Sequence, residues 1–163
     1  MVDLSTTAST AKLSMRAKSL SRYVWALPNS FVGLLFLPIV FFTNGGFQVV
    51  GGVLELHGSV VSWVLRHCVP LPGGAWAITF GHVVLGRDEQ TLSLTRVHER
   101  VHVRQYERWG PAFIPAYLVA AMWGLFTRTG VYYGNFFERE AMQSEGTMIS
   151  STPSRLNRKA SGR

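Results

Sequence analysis

The chain has 163 residues, 47% hydrophobic, 12% aromatic and only 15% charged, against the ~25% charged share of ordinary soluble domains. One domain is expected at this length, and the composition points to a membrane-associated protein. The net charge of +7 does not mark a nucleic-acid binder, because the basic residues sit in the two termini and along one helix face without an aromatic-interleaved patch. Anionic lipid headgroups are the expected partner.

Met1 to Arg22 carries Lys12, Arg16, Lys18 and Arg22 against Asp3 and has no sustained apolar period, so residues 1–22 read as a flexible basic arm. Tyr23 to Phe42 is uncharged and mostly apolar, long enough to span ~30 Å of hydrocarbon, and is expected to be a transmembrane anchor. Tyr23 and Trp25 suit its interface, and Pro28 and Pro38 predict kinks. Gly45 to Gly58 has glycine pairs around short β-rich runs and reads as a hairpin. Val60 to Val69 fits a short helix or a strand equally well. Cys68, the single cysteine, excludes an intramolecular disulfide and a cysteine zinc cluster and reads as a small buried apolar residue. After the Pro70–Gly74 turn, Ala75 to Leu85 reads as one strand leading into the next helix. In a peptidase such a strand pairs main chain to main chain with an extended substrate.

Thr91 to Trp109 predicts the central helix. Asp88 is its N-cap and Gly110-Pro111 its stop. Leu94, Val97, His98, Val101, His102 and Gln105 form one inward stripe at helical period, with Arg96, Arg100 and Arg104 opposite as a solvated or headgroup-facing surface. Within it lies HExxH. His98 and His102, four apart, share a face and can reach one metal ion, while Glu99, about 100° round the helix, can hold a water on that ion. Tyr106, one turn on, is a core residue or a donor to the site.

Trp109 to Thr127 is a second uncharged run, broken by Pro111 and Pro115 and borderline in length for spanning. Asn135 is expected to cap a last short helix containing FFEREAM. Residues 143–163, polar and basic, read as a disordered tail.

A catalytic zinc takes three protein ligands and keeps one position open, so HExxH needs a third. The residues offer His57, His82, Glu107, Glu138 and Glu140. HERVH followed by Glu138-Arg139-Glu140-Ala141 resembles the gluzincin metallopeptidases, in particular the membrane-bound HtpX-like and CAAX prenyl protease group. That resemblance implies zinc held by His98, His102 and Glu138, with Glu99 as general base. The Asp that follows E-x-x-A in that group is Met142 here, which removes a carboxylate that would orient a ligand. GHVVLGRD, HERVHVRQYERWGP and FEREA also resemble a set of small bacterial membrane proteins, which implies a bacterial plasma-membrane location and no particular activity.

The expectation is thus an α+β, membrane-anchored, zincin-like minimal domain over 43–142, its short sheet packed on the HExxH helix, hydrolysing peptide or protein substrates with Zn2+. The competing reading is a non-catalytic membrane subunit that contacts partner proteins and keeps a structural metal or a degenerate site. If Glu138 shares an ion with His98 and His102, both motifs lie at one depth. Pro111 to Phe126 then cannot be a straight span, since irregular backbone would have to return through hydrocarbon.

Overall fold

The computed structural model describes residues 20–151. A four-stranded sheet in the order β1-β2-β4-β3 lies between two helical layers. β1 (Gly46–Val50) and β2 (Val53–His57) form an antiparallel hairpin, β3 (Ala77–Phe80) and β4 (Val83–Gly86) a second one, and β2 joins β4 in parallel with Leu54 opposite Val83. The parallel pair requires a crossover. α3 (Ser59–His67) supplies part of it, which settles the ambiguous Val60–Val69 stretch as helix.

Strand periodicity sorts the sheet's two faces. Leu56, Val83 and Leu85 pack with Val40, Val61 and Leu65, so one face takes α1 (20–34), α2 (Phe36–Phe42) and α3. Val53 and Val84 point the other way, against Leu92 and Val103 of α4 (Glu89–Trp109). α1 and α2 are one apolar run broken at Leu35. Pro38 causes the break, since it has no N–H for the Leu34 carbonyl and its ring crowds that turn. Pro28 leaves α1 uninterrupted.

Several expectations need correction. Ala75 to Leu85 is a hairpin and not a single strand, because Gly81 turns the chain at φ +61°, and a Cβ there would lie 2.1 Å from Ser30 Oγ. Leu94 and Val97 are exposed, and Cys68, at the C-cap of α3, is exposed rather than buried. The arginine stripe is not a plain solvated face. Arg96 forms a two-pronged pair with Glu55 at 2.9 Å for both bonds, and Arg100 reaches the same carboxylate at 3.5 Å. Glu55 is only 2% exposed, so these arginines neutralise a buried charge on β2. Arg104 is exposed.

Beyond α4 a 3-10 turn, Gly110–Ala112, leads into α5 (Phe113–Phe126). Gly110 at φ +55° redirects the chain, and Trp25 fills the space a Cβ would need. After Phe126 the chain doubles back, and Asn135 Nδ2 donates to the Tyr117 carbonyl at 3.3 Å. Residues 118–134 therefore form a closed hairpin. Asn135 Oδ1 accepts from the Phe137 N–H at 3.0 Å and caps α6 (Phe136–Ser151). α6 continues well past Met142, where a disordered tail was expected. Of the basic arm at 1–22, residues 20–22 already belong to α1, while residues 1–19 and 152–163 lie outside the described residues.

Candidate metal centre

α4 is fixed in register by Asp88, whose carboxylate accepts from the Thr91 N–H at 2.7 Å. That bond holds the Asp88 carboxyl below its ordinary value. Ten residues on, His98 and His102 emerge together on the face turned away from solvent, 8% exposed each. α6 runs back along this face. Its Glu140 meets Gln105 and Arg108, and its Glu145 lies near His98.

Between them Glu138 enters the same point. His98 Nε2 stands 3.0 Å from His102 Nε2 and 3.2 Å from Glu138 Oε2, and His102 Nε2 is 3.5 Å from Glu138 Oε1. Tetrahedral ligands at ~2.0–2.1 Å from a zinc ion stand roughly 3.3 Å apart, so these spacings fit a metal's ligand shell. Glu138 Oε2 is buried and makes no well-formed hydrogen bond, although His98 Nε2 lies 3.2 Å away. Among the described residues, His98, His102 and Glu138 form the one buried group of such side chains able to hold a metal ion, with ligand atoms within 4.8 Å of one another.

What surrounds the three explains their aim. Gln105, fully buried, donates through Nε2 to the Phe137 carbonyl at 3.1 Å and to Glu140 at 2.8 Å, which leaves its Oε1 facing His102 Nδ1 at 2.8 Å. An acceptor there keeps the proton on Nδ1 and the lone pair on Nε2, toward the point that the three side chains share. His98 Nδ1 lies 3.5 Å from Glu145 Oε1. Tyr117 donates to Glu138 Oε1 at 2.6 Å. Burial pushes the Glu138 carboxyl up, but His98, His102 and the Tyr117 hydroxyl outweigh it and leave it below its ordinary value. The Tyr132 ring stacks parallel to His98 at 6.4 Å, and burial and the Glu138 charge push its hydroxyl up.

Glu99 lies beside the trio without joining it. Thr79 of β3 donates to Glu99 Oε2 at 2.6 Å, and burial holds the carboxyl above its ordinary value against the opposing pull of His102, Thr79 and His98. The site opens into a cavity of about 490 Å³ between β3 and α5, with Ala77 and Ile78 on one wall and Leu118 and Ala121 on the other. β3 is an edge strand there.

The remaining candidates are elsewhere. His82 pairs with Glu107 at 3.2 Å under the Tyr23 ring, and His57 lies against Gly46. Glu140 binds Gln105 and Arg108, and Tyr106 donates to the Thr79 carbonyl at 3.0 Å as a core residue. Sequence reading missed Gln105, Glu145, Tyr117, Tyr132 and Thr79. Gln105 and Glu145 did carry a signal, one lying a turn beyond His102 and the other two turns beyond Glu138 on the same helix face.

Compared with models of known protein families, with curated proteins and with solved structures, the chain matches none of them. Fold and site by themselves define a mixed α and β domain, with a small four-stranded sheet, that carries a buried His-His-Glu group able to hold one metal ion. Two of its helical stretches, Leu20–Phe42 and Glu89–Phe126, are long and apolar enough to cross a membrane.

Proposed function

We propose that this protein is a membrane-associated zinc metallopeptidase, with His98, His102 and Glu138 as zinc ligands and Glu99 as general base. The observation that carries the reading is the placement of Glu99. It is held at the edge of the ligand trio, facing the cavity, with one carboxylate oxygen fixed by Thr79 and the other left to take a proton.

A zinc ion in this site supplies a Lewis acid that polarises a carbonyl and acidifies a water. The chain's own residues do the rest. Glu99 accepts a proton from water and delivers it to the leaving amine. Thr79 both orients Glu99 and belongs to the edge strand, so a peptide paired with β3 is laid across the base. The largely apolar cavity walls favour a substrate with apolar side chains beside the scissile bond. Membrane association rests on the low charge, the uncharged stretch from Tyr23 to Leu54 and the exposed apolar faces of α1, α2 and α5.

The test is cleavage of a broad peptide mixture by the full chain and by Glu99→Gln. An amide cannot take the proton, so hydrolysis falls by about 10²–10⁴ while zinc content stays equal. A Glu99→Gln protein that cleaves like wild type would refute the mechanism. If neither protein cleaves while both hold metal, the non-catalytic subunit reading is favoured instead.

A further inference from the structure

The apolar stretch 20–42 has the length of a membrane span, yet it is not a free tether. Tyr23 donates to the Gly52 carbonyl at 2.9 Å, Asn29 to the Gly110 carbonyl at 2.7 Å, and Ser30 Oγ accepts from the His82 N–H at 2.9 Å. Gly33 sits against Val83 with no room for a Cβ, and Val40 is fully buried in the core. Contacts thus run from Tyr23 to Val40, roughly 26 Å of helix at ~1.5 Å per residue. The opposite side of the same stretch is bare and apolar, presenting Leu20, Val24, Leu27, Phe31, Leu35 and Phe42.

A helix fixed to its domain along nearly its whole length cannot cross ~30 Å of hydrocarbon alone. It would take the sheet and α4 with it. On the far side of that sheet, the outer face of α4 exposes Gln90, Ser93, Arg104 and Arg108 beside Leu94 and Val97, and its charged groups are costly to place in lipid. One orientation puts the bare face of this stretch in hydrocarbon and the α4 arginines in water. The α1–α2 stretch lies parallel to the membrane plane with its bare face sunk into one leaflet, and Arg104 and Arg108 of α4 point to water.

We infer that the protein is monotopic: the outer face of residues 20–42 is an in-plane docking surface for one leaflet of an anionic bilayer, and no part of 20–42 crosses. Charge agrees with this occupant, since Lys12, Arg16, Lys18 and Arg22 precede the apolar face in sequence and complement anionic headgroups. The inference rests on the membrane association proposed above and replaces the spanning anchor expected from hydropathy.

The test uses the full chain with Cys68→Ser and a single cysteine at Ser21 or Thr43, the two ends of the stretch. Sealed right-side-out and inverted membrane vesicles from cells making the protein are treated with a membrane-impermeant maleimide. Both cysteines should react in the same vesicle type and be silent in the other; reaction from opposite sides would overturn the inference while leaving membrane association intact. Phe31→Asp with Phe42→Asp, both at exposed positions, should keep the wild-type circular dichroism and lower the bound-to-free ratio on phosphatidylglycerol vesicles by roughly tenfold or more. An unchanged ratio, or a solution dimer in which a second copy covers this face, would overturn it. Wild-type protein that fails to sediment with membranes at all would remove the membrane reading as well, with the metal centre unaffected.

Discussion

Gln105→Leu isolates the part of the metal centre that acts through another residue. The substitution keeps the volume of a fully buried side chain close to native but removes the acceptor 2.8 Å from His102 Nδ1. A buried N–H left without a partner costs about 1–3 kcal/mol. His102 can escape that cost by moving its proton to Nε2 or by rotating, and either change withdraws a lone pair from the ion. Zinc affinity should therefore fall by roughly 10–100-fold, the range expected for a group that orients a ligand, which corresponds to about 1.4–2.7 kcal/mol. Because Gln105 also ties α4 to Phe137 and Glu140 of α6, Glu140→Ala serves as the control. It loses part of the same tether without touching His102 and should keep its affinity. The assay is competition with a chelator of known affinity, read beside the 15N shifts of the His102 ring, which report where the proton sits. Equal zinc affinity in Gln105→Leu and wild type would mean that Gln105 does not orient His102, as would a loss of the same size in Glu140→Ala.

Asp88→Ala should destabilise the fold by about 1 kcal/mol at pH 7 through loss of the α4 N-cap. Because the Thr91 N–H holds the folded Asp88 carboxyl below its ordinary value, the cap's contribution is present above the ordinary carboxylate range and is lost as pH falls through the lowered folded value; denaturation curves of both proteins at pH 7 and in acid check this, and a difference that grows in acid is the wrong sign. Gly81→Ala places a Cβ at φ +61° and into Ser30, so it should lose more than the ~1–2 kcal/mol that a left-handed residue alone costs; a midpoint in urea like that of wild type would contradict the hairpin turn. Arg96→Met leaves the Glu55 carboxylate with Arg100 at 3.5 Å and Gln48 at 3.0 Å, and breaking a buried pair from one side should cost about 3 kcal/mol. The same measurement reads it, and a loss below about 0.5 kcal/mol would mean the Arg96 pair is merely a surface contact.

The central helix was legible because three independent signals agreed over 89–109: a capping Asp, a stripe at helical period around two histidines, of which Leu94 and Val97 are exposed and the rest face inward, and Gly-Pro at the end. The β1–β2 hairpin was legible from its glycine pairs. What escaped was set by tertiary contact. Gly81 inside an apolar run looks like one more small residue, and only its closeness to Ser30 and its positive φ make it a turn. Arg96 and Arg100 read as a solvated face because Glu55, their partner, lies some forty positions earlier on a strand. Residues 143–151 read as a tail because their composition is polar, although Glu145 and Ser144 find partners in His98 and the Glu140 carbonyl once α6 lies along α4. Glu138 was reachable through a resemblance, whereas the groups that orient the ligands needed the packing of α4, α5 and α6 to be seen.

Whether His98, His102 and Glu138 hold an ion is read from the metal content of the full chain by elemental analysis, compared across wild type, Glu99→Gln, His98→Ala and Glu138→Ala purified in parallel. Close to one zinc per chain is expected in wild type and in Glu99→Gln, and little or none in the two ligand variants, with all four retaining the same circular dichroism. Zinc in Glu138→Ala equal to that in wild type would contradict that assignment.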